Sequence, residues 1–441
     1  MNISVSGLRW AAAAFCLLFC LPLPAAFKDH LVFYGFVRNY FTYDSRECVA
    51  GTGDLFNYLP KDHLWNETAE KAAVSGVPRE DLNALSTFRF LSLTTRAGLD
   101  ISGYQWGRTQ FGATLEADFY AGLSKTMAHP VTGVAQLRLR HAYITLAWDS
   151  LRMHERYARL DLLIGQTWHP MTEGLADVLS INGGAPFEPF NRSPQVRFSA
   201  RLGRYVTLTA AALWQMQYTS AGPDGHSAEY LLYAKTPEGY AGLTFHTDAL
   251  VLRAGADVLS IRPRRYGSVN GVTVTVKDRL TTVSPFVFLC YEQSGWTVKA
   301  KSVFAQSGEH MALNGGYGVT QVLPDGSWRY TPTRNSSSWI SCAYGGKVGK
   351  EMTLRGSLFG GYVRNFGVSE PLTDADGDGA ADLYFSRNSF PNMERMWRVT
   401  PAVEWIIGKF HVGCEYEFTS VQYDTHWVSN HRVQVMTKYC F

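Results

Sequence analysis

Sixteen segments of this chain alternate apolar and polar residues with a period of two, the pattern of β-strands that have one apolar face. In one of them Phe111 and Phe119 alternate with Gln110 and Glu116. Most have at least the roughly 9–11 residues that a tilted strand needs to cross a bilayer. The predicted strands cover residues 31–43, 86–102, 108–120, 135–148, 159–168, 195–202, 204–217, 238–247, 249–261, 281–292, 296–306, 337–348, 351–364, 394–407, 409–422 and 430–441.

The connections between these strands alternate in length along the chain. Tight turns follow the even-numbered strands, whereas long polar segments follow most of the odd-numbered ones. The long segments are 44–85, 121–134, 169–194, 218–237, 262–280, 307–336 and 365–393, and 423–429 is shorter. A transmembrane β-barrel has short turns on one side of the membrane and long loops on the other. The pattern therefore predicts an all-β fold, a single-domain antiparallel barrel of about sixteen strands within residues 27–441.

The N-terminal residues have the features of a secretory signal peptide. Arg9 precedes an apolar run, and Ala25 and Ala26 offer a small-residue cleavage site, so we expect residues 1–26 to be removed. The run is too short for a transmembrane helix, which needs roughly 20 apolar residues. Because no longer apolar run follows it, an α-helical membrane protein is excluded.

Phe441 closes the last predicted strand, in which apolar or β-branched residues occupy alternate positions. A terminal aromatic residue of this kind resembles the C-terminal signature of bacterial outer-membrane β-barrels. That resemblance implies recognition by the barrel-assembly machinery, contact with outer-membrane lipid, and a location in the outer membrane of a Gram-negative bacterium. Aromatic residues make up 14% of the chain, which agrees with the aromatic girdles of such barrels.

Composition excludes two other classes of function. The formal net charge is only +3, so no nucleic-acid-binding surface is predicted. The cysteines that follow the signal peptide include no close-spaced pair, so neither a disulfide framework nor a zinc site is predicted. These cysteines are Cys48, Cys290, Cys342, Cys414 and Cys440.

The polar face of each strand points inward when the interior of a barrel is wet. Sixteen strands leave an aqueous channel, so the polar faces predict a pore for small hydrophilic solutes. The alternative is an interior packed by loops, in which the same charges serve only to solvate it. The predicted pore-lining residues are Arg138, Arg140, Arg197, Arg201, Lys299, Lys301, Arg355, Glu116, Asp118, Glu415 and Glu417. Basic groups outnumber acidic ones, which favours a modest preference for anions.

The third long loop, 169–194, is unusually apolar for a segment in solvent, and its prolines and glycines restrict its path. We expect it to fold into the barrel and to constrict the pore. A loop folded over the rim is the alternative. The charged residues that the constriction would present are Glu173, Asp177, Glu188 and Arg192.

Five segments of the first half of the chain carry a family resemblance. They are GFVRNYFTYDSR (35–46), QLRLRHAYITLAW (136–148), LLIGQTWHP (162–170), GGAPFEPFNRSPQVRF (183–198) and LTAAALWQMQY (208–218). As a set they resemble porin-like outer-membrane proteins of Bacteroidota. More distantly, RLRHAY followed by GQTW is similar to the DcaP-type trimeric porins. That relation implies a homotrimer and a preference for small, often anionic solutes.

An acidic segment late in the chain has the spacing of a calcium loop. Asp374, Asp376, Asp378 and Asp382 supply alternate carboxylates around a glycine-containing turn. Phe385 occupies the position where a bidentate glutamate is expected. Calcium binding and a solvated acidic loop both remain open, and no other cofactor is predicted.

Two other functions are alternatives to a porin. A barrel-embedded hydrolase would need a serine–histidine arrangement, but the chain has no G-x-S-x-G motif, and we expect no enzyme. A surface-binding or structural barrel without an open pore is favoured by the long first loop, which contains Trp65. Ion conductance distinguishes the porin from both alternatives.

Overall fold

The computed structural model describes residues 30–51, 55–120, 136–153, 156–181 and 183–441. An antiparallel barrel of sixteen strands closes when the first strand pairs with both the second and the last. The strands are β1 (Leu31–Asp44), β2 (two segments, Thr87–Leu91 and Arg96–Trp106), β3 (Thr109–Tyr120), β4 (Gln136–Met153), β5 (Arg156–Trp168), β6 (Arg192–Leu202), β7 (Val206–Leu213), β8 (Glu238–His246), β9 (Leu250–Ile261), β10 (Leu280–Gln293), β11 (Trp296–Gln306), β12 (Arg334–Val348), β13 (Met352–Asn365), β14 (Met393–Ile407), β15 (Phe410–Tyr423) and β16 (His426–Cys440).

The all-β fold class and the sixteen-strand count predicted from the sequence are confirmed, but some bounds differ. The second strand is interrupted at residues 92–95, where Thr94 has a φ of 69°. Arg38 stabilises this break, because its Nε and Nη2 donate to the Thr94 hydroxyl at 3.2 and 2.8 Å. The fourth strand extends to Met153, and the seventh ends at Leu213. The predicted signal peptide, 1–26, lies outside the described residues.

The barrel closes along the seam between β1 and β16. Asp44 pairs with Arg432 in the strand register, and its two carboxylate oxygens accept from Arg432 Nε and Nη2 at 2.8 and 2.9 Å. At the other end of the seam, the Phe441 amide donates to the Gly35 carbonyl at 3.1 Å. A Cβ on Gly35 would lie 2.6 Å from Phe441 Cζ, so only glycine leaves room for the terminal ring.

The outward face of the wall is apolar. Leu137 and Leu139, for example, are exposed on either side of the inward-pointing Arg138. Aromatic side chains are exposed near the tight turns, where a membrane barrel places its interfacial girdle. These aromatics include Tyr104, Trp106, Tyr205, Trp296, Tyr344, Phe410 and Tyr439.

Long connections emerge from one end of the barrel, called here the loop end, and tight turns from the other, the turn end. The eight connections at the loop end are L1 (45–86), L2 (121–135), L3 (169–191), L4 (214–237), L5 (262–279), L6 (307–333), L7 (366–392) and L8 (424–425). L8 is thus shorter than the predicted segment 423–429, because β15 and β16 continue beyond the bounds expected from the sequence.

Short elements give the loops their shape. L1 contains strands Cys48–Gly51 and Phe56–Pro60 and helix α1 (Ala69–Ser75), and L4 contains helix α2 (Glu229–Ala234). L5 contains the hairpin Tyr266–Val269 with Val272–Thr275, whereas L6 and L7 share a sheet of Gly316–Val322, Trp328–Pro332 and Leu383–Phe385. The 3₁₀ segments are Pro170–Thr172 in L3 and Gly308–Met311 in L6. Among the described residues, no helix has the length and hydropathy needed to span a bilayer.

Candidate functional site in the barrel interior

L3 runs through the interior of the barrel and contacts the wall on the far side. The amides of Leu179 and Ser180 donate to the carboxylate of Glu415 on β15 at 2.5 and 3.2 Å. Tyr40 on β1 donates from its hydroxyl to the Leu179 carbonyl at 2.8 Å. The Asp177 amide donates to the Ser341 hydroxyl on β12 at 3.3 Å. These bonds fix the middle of L3 against strands that are distant in sequence.

The side of L3 that faces the barrel wall is apolar and packs closely against the wall. Phe187 lies fully buried with its ring 5.8 Å from that of Phe359 on β13. Two glycines make space for the loop: a Cβ on Gly361 would lie 2.5 Å from the Phe187 ring, and one on Gly413 would lie 2.5 Å from Leu179. At the level of L3, much of the interior between β10 and β15 is therefore filled by packed side chains.

Three of the predicted constriction residues, Glu173, Asp177 and Glu188, form ion pairs with predicted pore-lining residues. Asp177 of L3 accepts a hydrogen bond from Arg355 at 2.5 Å, and its other carboxylate oxygen lies 3.2 Å from the Lys299 ammonium. Glu173 pairs with Arg197, and also with Arg253 at 3.0 Å. L3 thus meets basic side chains on β6, β9, β11 and β13.

Lys301 of β11 and Glu188 of L3 form a buried pair, in which both side chains are 0% exposed. The Lys301 ammonium donates to the carbonyls of Met171 and Glu173 at 2.9 and 3.1 Å and lies 3.4 Å from Glu188. Burial raises the pKa of Glu188 to about 8, although the nearby Lys301 opposes the shift. This pair therefore attaches the root of L3 to β11 and does not face solvent.

Glu417 also lies away from solvent, because L1 folds into the interior above it. Its carboxylate accepts from Asn57 of L1 at 2.7 Å and lies 3.3 Å from Arg398 on β14. Arg398 in turn donates to the Tyr58 carbonyl at 2.9 Å. The entry of L1 into the barrel could not be predicted from the sequence, because the apolar stretch of L1 (55–60) is short.

On the opposite wall, four predicted residues form one ion-pair network. Arg138 donates to both carboxylate oxygens of Asp118, at 2.9 and 2.8 Å. Arg140 bridges Glu116 at 2.6 Å and Asp118 at 2.8 Å. Arg96, which was not singled out from the sequence, lies 3.4 Å from Glu116. Neighbouring strands β2, β3 and β4 thus present guanidinium and carboxylate groups to the interior side by side.

A cavity of about 680 Å³ lies between this network, L3 and L1. Asp118 is the sole carboxylate side chain in its described lining, against six guanidinium groups. Its aromatic lining comprises Phe56, Tyr58, Tyr120, Trp168, Phe190 and Tyr218. The guanidinium groups belong to Arg38, Arg96, Arg138, Arg140, Arg192 and Arg387.

Arg192 is the first residue of β6, although the sequence placed it in the constriction loop. It is only 2% exposed and lies 4.5 Å above the ring of Trp168. Among the described residues, neither terminal nitrogen of its guanidinium has a hydrogen-bond partner. Arg192 therefore offers unused donors to whatever enters the cavity.

A smaller cavity of about 150 Å³ lies on the turn side of L3. Val178 and Leu179 line both cavities, and so does Arg38, so the tip of L3 separates two spaces along the barrel axis. The lining of the smaller cavity also includes Arg355 and Asp177. Arg201, in contrast, lies exposed near the turn end, where it donates to the Arg204 carbonyl at 3.3 Å, and it lines neither cavity.

The acidic segment predicted as a calcium loop is part of L7. Ligand oxygens of Asp374, Asp376 and Asp382 lie within 4.8 Å of one another. The carboxylate of Asp374 accepts from the amides of Gly377 and Gly379 at 2.7 and 2.9 Å, and Asp378 accepts from the Ala380 amide at 2.8 Å. Calcium binding here remains a prediction.

Three histidines, His141, His169 and His411, could serve a hydrolase, but each contacts polar groups of the barrel. His141 contacts the Thr167 hydroxyl through Nδ1 at 2.9 Å, and His411 contacts Glu404 at 2.8 Å. His169 lies in a buried cluster with carboxylates, which sequence spacing did not reveal because its members come from four separate segments.

The fold resembles solved outer-membrane channels. The outer membrane channel DcaP of Acinetobacter baumannii superposes with a TM-score of 0.60 at 18% identity, over 93% of this chain and 97% of that one. OmpT of Vibrio cholerae gives a TM-score of 0.48 at 11% identity over 93% and 97%. An anion-selective porin from Comamonas acidovorans gives 0.48 at 9% identity over 93% and 99%. Neither a family model nor a curated protein matches the sequence.

Proposed function

We propose that this chain is an outer-membrane porin through which small hydrophilic anions diffuse passively. The observation that carries the proposal is the interior cavity, in which six guanidinium groups meet one lining carboxylate. Fixed charges in a wet, confined space select permeating ions by Coulomb attraction and by replacing part of their hydration. Among the described residues, no ion pair joins Arg38, Arg192 or Arg387 to a carboxylate, so these charges are available to a solute.

The path of a solute follows from the two cavities. An anion enters at the loop end, meets the arginine-lined cavity, and passes the tip of L3 at Val178 and Leu179. Arg38 reaches both spaces and would guide the anion across this narrowing. We propose that L3 is the constriction, since its ion pairs with Lys299 and Arg355 fix it across the interior.

The cellular setting belongs to the same proposal. The exposed apolar wall and its aromatic residues fit an outer-membrane lipid environment. The N-terminal residues would direct export as a signal peptide, and the terminal strand would be recognised by the barrel-assembly machinery. A homotrimer is proposed from the resemblance to DcaP-type porins, and the Bacteroidota relation rests on the sequence segments alone.

Conductance of the purified protein in a planar bilayer tests the proposed function. We expect stable stepwise increases in current as channels insert. In a salt gradient we expect a reversal potential with the sign of an anion-selective channel. The charged lining predicts that this potential moves toward zero as salt rises, because the Debye length falls from about 10 Å at 0.1 M to about 3 Å at 1 M. A cation-side reversal potential at low salt would contradict the anion preference.

A surface-binding or structural barrel is the second candidate, since the apolar contacts of L3 fill much of the interior between β10 and β15. Such a barrel would insert into the bilayer without open steps. The absence of ion conductance in folded, inserted protein would therefore favour this candidate over the porin. A barrel-embedded hydrolase would also be silent, and turnover of ester or peptide substrates would separate it.

Removing the carboxylate that holds L3 should destabilise the constriction. In Glu415→Ala the amides of Leu179 and Ser180 lose their acceptor, so we expect L3 to leave its position part of the time. The predicted result is larger and noisier open-channel current in single-channel recordings. Glu415→Gln is the matched control, because it removes the charge but keeps a carbonyl oxygen that can accept one of the bonds. Quiet current of wild-type size in folded E415A would show that L3 does not set the conductance.

A further inference from the structure

Four ionisable side chains meet in a fully buried cluster at the loop end of the barrel. His169 begins L3, Glu238 and Asp257 stand on the adjacent strands β8 and β9, and His310 lies in the 3₁₀ segment of L6. The side chains of all four are at most 1% exposed. None of them lines the arginine-lined cavity or the smaller cavity.

Ligand atoms of His169, Glu238 and Asp257 lie within 4.8 Å of one another, and His310 lies beside this group. His169 Nε2 lies 2.9 Å from Glu238 Oε1 and 3.5 Å from Asp257 Oδ1. His310 Nε2 lies 3.4 Å from Asp257 Oδ2 and 3.8 Å from Glu238 Oε1. Despite these short distances, both Nε2 atoms, both Glu238 oxygens and Asp257 Oδ1 have no hydrogen-bond partner among the described residues. The atoms are therefore close to one another without the angles of hydrogen bonds.

Ligands of a common ion have this geometry. Nitrogen and oxygen ligands about 2.1 Å from a Zn²⁺ ion lie roughly 3.0–3.4 Å from one another in octahedral or tetrahedral arrangements. Each ligand then points at the ion, so its neighbours lie off the axis along which it would form a hydrogen bond. We propose that His169, Glu238 and Asp257 form a buried binding site for a divalent transition-metal ion such as Zn²⁺, with His310 beside them as a fourth ligand.

The surroundings of the histidines decide how each would bind. His310 Nδ1 lies 3.2 Å from the Ser307 carbonyl and donates to it, which leaves the Nε2 lone pair for the ion. The Met171 amide donates to His169 Nδ1 at 3.2 Å. Coordination through Nε2 would place the proton on Nδ1, so this hydrogen bond would be lost when His169 binds the ion. His169, Glu238 and Asp257 are thus grouped when L3 is in place, and His310 completes the set by moving toward them.

Charge and chemistry select the ion. Two carboxylates and two neutral imidazoles balance one divalent cation, whereas carboxylates buried without a compensating charge cost several kcal/mol. Imidazole nitrogen favours zinc and its transition-metal neighbours over Ca²⁺ or Mg²⁺, which prefer oxygen ligands. A bound ion would connect the roots of L3 and L6 to the wall.

Metal binding by the folded, chelator-treated protein tests the site directly. We expect one equivalent of Zn²⁺ per chain by mass spectrometry of dialysed samples, with a rise in melting temperature on Zn²⁺ addition. The nearly isosteric double variant Glu238→Gln with Asp257→Asn should bind Zn²⁺ at least about 100-fold more weakly and lose this rise. Ca²⁺ is titrated in parallel, because the aspartates of L7 offer only oxygen ligands.

His226→Ala is the matched control, since that loop histidine contacts the carbonyls of Thr219 and Phe385 and is not a member of the cluster. It should bind Zn²⁺ as the wild type does. Equal Zn²⁺ binding by the folded wild type and the double variant would overturn the proposal, and so would the absence of tight binding by the wild type. In that case the cluster would consist of imidazolium–carboxylate pairs. Tighter binding of Ca²⁺ than of Zn²⁺ at these residues would overturn the assigned class of ion.

Discussion

Replacing Arg138 and Arg140 together with alanine is expected to shift the reversal potential in a salt gradient toward cations. Both guanidinium groups line the larger cavity, and both lie against carboxylates of β3. The double variant therefore removes two positive charges and leaves Asp118 without the two arginines that now contact it. The cavity becomes less attractive to anions for both reasons.

Elementary electrostatics sets the size of the effect. A unit charge about 8 Å from a permeating ion contributes roughly 0.5 kcal/mol at the dielectric constant of water. Two such charges favour an anion and disfavour a cation by about 1 kcal/mol each, so their removal lowers the ratio of anion to cation permeability by up to about thirtyfold, and the change should shrink as salt is raised. Recordings at low and high salt on the same folded protein measure both quantities.

Arg201→Ala is the control for this experiment, because Arg201 is exposed near the turn end and lines neither cavity. It should leave the permeability ratio close to that of the wild type. If the double variant keeps the wild-type reversal potential, Arg138 and Arg140 do not act on the permeating ion. An unchanged double variant with a shifted R201A would instead place the selective region at the turn end.

Asp44→Ala is expected to lower the free energy of unfolding by about 3–5 kcal/mol, the effect of removing one member of a buried ion pair. Asp44 and Arg432 are almost fully buried at the barrel seam, and the guanidinium donates to both carboxylate oxygens. The variant keeps the buried Arg432 guanidinium but removes the carboxylate that accepts two of its hydrogen bonds. Equilibrium unfolding by urea in lipid vesicles measures the loss.

Asp248→Ala provides the comparison for the seam variant. Asp248 pairs with Arg204 at the turn end, where both side chains are exposed, and exposed ion pairs add little to stability. Each variant removes one carboxylate from an ion pair, which is buried in D44A and exposed in D248A. Unfolding of D44A at the same urea concentration as D248A would mean that the seam pair does not stabilise the barrel.

The strands could be predicted from the sequence because each has one face in an apolar environment. Leu137 and Leu139 face outward while Arg138 faces inward, so alternation alone reveals both the strand and its orientation. The alternation of loop lengths indicated an antiparallel order, since every strand pairs with its neighbours in sequence and the first strand also pairs with the last. The break at Thr94 escaped prediction because it depends on a hydrogen bond from Arg38, which is distant in sequence.

The partners of the charged residues could not be predicted from alternation. That pattern assigns Arg140 and Glu116 to one face but does not give the register, which shifts between Glu116 and Ala117. Burial by loops was also invisible: Lys301 and Glu417 have the same strand pattern as Arg138, yet L3 covers one and L1 the other. The cluster around His169 combines residues up to 141 positions apart, so no spacing could indicate it.

The attachment of L3 to Glu415 implies an order of assembly. The bond between Leu179 and Glu415 joins residues 236 positions apart, and contacts of such separation form late because the intervening chain must first be ordered. L3 emerges between β5 and β6, long before the strand that holds its tip is in place. The bonds of the seam join residues still further apart, 388 positions between Asp44 and Arg432, so the wall closes last and around a passage that L3 has already narrowed.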